Sequence, residues 1–141
     1  MSATHSTAHW AAPRIGYLLT AAMAGRRYTE AAAMWRELDE SAQSDVIAAL
    51  GEQARLAVAE AGVPLQVDFS GLADSRCPEA LPAAQSAYEG IGPWQPPDCL
   101  HCRELVASAL AEIQLQAGVA AGMPPSYVDL ICRGKAVGGA A

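Results

Sequence analysis

Aromatic residues are few in this chain, with a single Phe among 141 residues. A polypeptide so poor in strand-forming side chains has little from which to build a sheet. Basic residues form no block: Arg26-Arg27 is the only adjacent pair, and nine basic side chains face fifteen acidic ones. The resulting net charge of −6 and pI near 4.9 predict neither a nucleic-acid surface nor an anionic-membrane surface. No apolar run approaches the roughly 18 residues needed to cross a bilayer. A glycine-rich phosphate loop, a Ser/His/Asp arrangement and a pair of catalytic carboxylates are all missing. His101 is the only histidine beyond the first ten residues, which narrows acid–base chemistry further.

What the chain has instead is alanine, roughly a fifth of all positions against an ordinary usage well below that. Alanine has the highest helix propensity and lets helices approach closely. The apolar spacing agrees. Ile15, Leu18, Leu19, Ala22 and Met23 recur at helical intervals, with Pro13 suited to a first turn and Gly25 to a stop. The run from Ile15 behind Arg14, followed by Ala22-Met23-Ala24, also resembles a signal peptide. The helical spacing, which a signal does not need, favours an ordinary first helix and a cytoplasmic protein. Thr29 is expected to cap a second helix with the face Ala31, Met34, Trp35 and Leu38. After a polar break over residues 39–44, Val46, Ile47, Leu50, Ala54, Ala57, Val58 and Ala61 mark a third, closed by Gly62 and Pro64.

Residues 65–69 alternate apolar and polar side chains, but one strand without a partner is not a sheet, so an extended linker is expected. Pro and Gly punctuate the next thirty positions or so and leave space for one short helix near residues 83–89, with Trp94 pinning the segment to the helices. Asp98, after Pro96-Pro97, is expected to cap a long helix whose stripe is Cys102, Val106, Ala109, Leu110, Ile113 and Ala117. Ser126 and Asp129 have the spacing of a capping box opening a last helix that ends near Gly134. The expected organisation is therefore an all-α bundle of five or six helices. A flexible arm (1–12) precedes one domain (13–134), made of a helical hairpin plus third helix (13–62), an irregular Pro/Gly-rich connection (63–97) and Cys-bearing helices (98–134). A flexible tail (135–141) follows.

The four cysteines carry whatever chemistry there is. Cys99-x-x-Cys102 stands at a helix start, where backbone N–H groups and the helix dipole favour thiolate. With Cys77 and Cys132 the pair could complete a tetrahedral four-thiolate zinc site; free thiols and dithiol redox chemistry are the alternatives. Two family resemblances are visible. Tyr28, Ala31, Trp35 and Leu38, with Ile15, Leu18 and Leu19 before them, resemble one tetratricopeptide repeat, which implies an antiparallel helical hairpin. Cys77-Pro78-Glu79 with Cys99-x-x-Cys102 resembles the cytidine-deaminase zinc arrangement. That resemblance implies Cys77, Cys99 and Cys102 as ligands and Glu79 as general acid/base, on a fold containing a β-sheet. The reading favoured by the whole chain is a non-catalytic interaction or accessory protein, engaging a protein partner or a second copy and stabilised by zinc. A thiol–disulfide oxidoreductase or zinc hydrolase is the alternative.

Overall fold

Alanine-rich segments with one greasy seam each have a single economical outcome, helices packed seam to seam. The computed structural model describes residues 2–73, 76–90 and 99–138. Among them are α1 (Ser2–Ala24), α2 (Tyr28–Arg36), α3 (Glu40–Ala61), α4 (Ala80–Glu89), α5 (Leu100–Ala120) and α6 (Pro125–Gly138), with a 3₁₀ turn at Ser70–Leu72 and no strand. The protein is an all-α bundle, as the composition required.

The centre lies where α3 meets α5. Val46, Ile47, Leu50, Val106 and Leu110 are fully buried, each gaining about 1.5–3 kcal/mol from leaving water. Leu19 of α1, Trp35 of α2 and Ala80, Ala83, Ala84 and Ala87 of α4 extend this core. A second, smaller core joins Ala21 and Ala24 of α1 to Val128 and Cys132 of α6. Among the described residues no single helix is long and apolar enough to cross a membrane, and α5 and α6 meet at a bend of 117°.

Several helix limits differ from expectation, each for a local reason. α1 begins at Ser2 and carries Pro13 at its middle; a proline there has no N–H to donate and forfeits one intrahelical bond, and the alanines around it keep the backbone helical. The Pro13 carbonyl also accepts a 2.7 Å bond from Gln53 Nε2 of α3. α2 starts at Tyr28, with Arg27 before it and no side-chain cap, so Thr29 is helical. The polar stretch 39–44 is not a break. Asp39 accepts from the Ala42 backbone N–H at 2.8 Å and caps α3, whose first turn it opens. α6 runs from Pro125 to Gly138, beyond Gly134 and into the expected tail. The expected cap at Asp98 and pin at Trp94 lie outside the described residues. Phe69 does pin the linker: it is buried and meets the Tyr88 ring edge to face at 5.9 Å.

Glycines matter here for space as much as for dihedral angle. The α1 stop is a Schellman turn, in which the Arg27 and Arg26 N–H groups donate to the carbonyls of Ala22 and Met23, and its left-handed residue is Arg26 (φ 61°) rather than Gly25. Gly25 leaves room for an ion pair, since a Cβ there would lie 2.7 Å from Asp129 Oδ2. Asp129 is not a capping residue; its buried carboxylate accepts from Arg27 at 2.7 and 3.1 Å and from Arg133 at 3.0 Å. Hydrogen bonding from Arg27 holds its pKa below the usual carboxylate range despite burial. At Gly51 the α3 backbone passes so near α4 that a Cβ would collide with the Ala87 carbonyl.

Gly51→Ala therefore has two opposed effects. Helix propensity gains about 1 kcal/mol, but forcing α3 from α4 costs more, because the obstacle is backbone and cannot rotate away. A net loss of roughly 1–2 kcal/mol is expected from urea unfolding, and an unchanged midpoint would show that the helices are further apart. Arg27→Ala removes the main counterion of a buried carboxylate; the guanidinium is 37% exposed, so screening limits the loss to about 1–2 kcal/mol at pH 7. Because the Asp129 pKa is depressed, the pair's contribution is present above the ordinary carboxylate pKa. It is lost as pH falls through the lowered value, so the two proteins should converge in acid.

Candidate metal centre

Two helix starts converge on sulfur. Cys77 lies just before α4, its carbonyl accepting from the Ala80 N–H at 3.2 Å. Cys99 is the residue before α5, and Cys102 is on that helix's first turn, facing the core. Their sulfur atoms all lie within 4.8 Å of one another. Cys77 and Cys102 are buried, whereas Cys99 is exposed. The group could therefore hold a metal ion, with one edge open to solvent.

The environments divide the thiols electrostatically. Cys99 is lowered from its ordinary pKa of 9.0, first by the backbone N–H of Cys102 and then by that residue's thiol. This is the usual effect of a helix start on a sulfur at its mouth. Cys102 moves the other way, pushed up to about 12, chiefly by burial and further by its neighbours Cys77 and Cys99. In the metal-free protein Cys99 is therefore the thiol that ionises before Cys102, which holds its proton the more firmly.

Of the four cysteines expected to form one cage, the structure brings together three. Cys132 belongs to the second core, buried on α6 against Ala21, Ala24 and Val128, and burial raises its thiol to about 11. His101 and Glu79 are exposed and outside the sulfur group. The three ligands are those the deaminase resemblance implied. Its sheet, however, has no counterpart among the described residues, and Glu79 stands before α4 without a side-chain capping bond. What the geometry shows is the coarser statement, a three-sulfur group that could hold a metal ion. Trp35, whose position was open from sequence, is 4% exposed and in the core. Sequence reading missed the outer face of α6, where Tyr127, Leu130 and Val137 are 50, 57 and 75% exposed. Tyr127 and Leu130 lie within the expected helix, and Val137 lies beyond its expected end near Gly134, so the three do not read as one face until α6 extends to Gly138. Compared with protein families, curated proteins and solved structures, the chain matches none.

Thiol reactivity checks this arrangement. Iodoacetamide at pH 7.5 should modify one cysteine rapidly and three slowly in the metal-free protein, since rate follows thiolate fraction and access. Cys99→Ser should abolish the fast phase. Four equal rates, or a fast phase surviving that substitution, would contradict the exposure and proton assignment given above.

Proposed function

We propose that this chain is a small, non-catalytic interaction protein that docks a protein partner on the outer face of α6, with a thiolate-bound metal ion bracing the opposite connection. The observation that carries the docking role is that α6 is apolar on two sides. Val128, Cys132 and Ala136 are buried against the bundle. Tyr127, Leu130 and Val137 fall roughly 140–160° around the helix from the middle of that buried face at 100° per residue, and all are half or more exposed. Exposed apolar residues scattered singly mean nothing; a row along one helix, here at i, i+3 and i+10, is the kind of face a partner helix or groove engages. Gly134 lies within that row with open space over it, so a partner can approach the backbone.

The metal role rests on the three clustered sulfurs. Zinc was the ion suggested by sequence, and it suits thiolates. An oxidoreductase reading draws on the same asymmetry between Cys99 and Cys102, but it leaves Cys77 without a purpose, since a redox pair needs two sulfurs and not three.

A photo-crosslinking amino acid at position 137, compared with one at Leu56 (also exposed, 49%) on α3, tests the docking face in cells. A discrete adduct from position 137 that disappears with Leu130→Glu is expected. No adduct at 137, or the same adducts from both positions, would overturn the assignment.

A further inference from the structure

The three-sulfur site has a donor number as well as a donor type, and the number discriminates between ions. Distance does not: sulfurs about 2.3 Å from an ion are about 4 Å apart in a trigonal plane and about 3.8 Å apart in a tetrahedron. Both spacings fall inside the 4.8 Å within which the three sulfurs lie. A structural zinc, however, is almost always closed by four protein ligands. Among the described residues no histidine, aspartate, glutamate or fourth cysteine joins Cys77, Cys99 and Cys102, and Cys132 is committed to the other core.

Resting on the metal reading above, we propose that the Cys77–Cys99–Cys102 site is selective for a soft, three-coordinate monovalent ion, copper(I), over zinc. Soft thiolates are the donors that stabilise copper(I), and a trigonal trithiolate satisfies it with no further ligand. Charge is consistent with this. Three thiolates around a monovalent cation leave two negative charges, and the starts of two helices, α4 and α5, meet at the site with their positive dipole ends. Access is consistent too. Buried Cys77 and Cys102 form the inner wall, and exposed Cys99 is the sulfur that meets an ion arriving on another thiol. Transfer then proceeds by ligand exchange: each protein thiolate replaces one carrier thiolate on copper, protons pass from the incoming thiols to those released, and copper remains monovalent throughout.

The test is anaerobic competition on the full chain. Protein loaded with one equivalent of zinc is titrated with copper(I) buffered by bathocuproine disulfonate, while released zinc is read with a chromophoric chelator. X-ray absorption then gives the coordination shell of each metal. Expected are one copper per chain, one zinc released, and a copper shell of three sulfurs. Cys99→Ser is the clean variant because that side chain is exposed. It should weaken copper binding by more than the roughly tenfold that loss of an outer-shell partner costs, as should Cys77→Ser, with circular dichroism confirming that each variant is folded. Cys132→Ser should leave affinity unchanged. Zinc held in a four-donor protein shell and retained against copper would overturn the proposal while leaving the metal brace intact. So would copper bound by two sulfurs and indifferent to Cys77→Ser. Binding of neither metal would remove the brace itself.

Discussion

Everything in this fold depends on how closely α3 can lie against its neighbours. Val46, Ile47 and Leu50 supply most of the bulk on that helix, and Val106 and Leu110 of α5 receive it. On the other flank there is almost no bulk. Gly51 admits the Ala87 carbonyl of α4, and the buried residues of α4 are all alanines. An alanine methyl removes far less apolar area from water than a leucine does, so the bundle gains through proximity what it lacks in side-chain volume. This is why the tolerances are steric and why a single methyl group at position 51 matters.

Polar side chains then fix which helices pair. Buried Thr20 donates to Gln114 Oε1 at 2.8 Å across α1 and α5. Arg103, also buried, donates from Nε to Gln43 Oε1 at 2.8 Å, and Gln43 in turn donates to the Trp35 carbonyl at 3.2 Å. Alanine seams are nearly featureless and would tolerate sliding. Buried hydrogen bonds lose their value when the register shifts, so they select one alignment among several of similar apolar area. The Arg27–Asp129 pair does the same for α6, joining residues 102 positions apart where the second core is only a few side chains wide.

This division explains what was legible beforehand. Helix identity and the faces of α3 and α5 were, because period and alanine content are local properties; the stripe from Cys102 to Ala117 is buried, with only Ala109 half-buried. Boundaries were less so. Asp39 caps α3 from within a polar run that reads equally as a loop, and Asp129 has the spacing of a capping partner while serving as the counterion of a distant arginine. The cysteines divide on the same principle. Cys99 and Cys102 are neighbours by helical geometry, visible from spacing alone. Cys77 reaches them across 22 positions that include α4, and Cys132 goes to the far side because α6 turns back along α1. Neither outcome is encoded in any short window.

The position of the sulfurs bears on stability as much as on chemistry. A ten-residue helix such as α4 is marginal by itself, and its alanine contacts with α3 and α5 are small. The connection leading into it is fastened chiefly by the Phe69–Tyr88 contact and by Arg55 reaching the Tyr88 carbonyl, both near the far end of α4. The near end has the Cys77 sulfur against the start of α5. An ion shared by Cys77, Cys99 and Cys102 would clamp that near end, and its binding free energy would be drawn into ordering the least well-packed part of the bundle. The proposed docking face lies on α6, whose opposite side forms the other core. A metal at the sulfur group and a partner on α6 would therefore act on separate ends of the molecule, joined through α5, which contacts both α4 and α6, and through α3, which packs on α4 and reaches α6 by the Glu60–Lys135 ion pair.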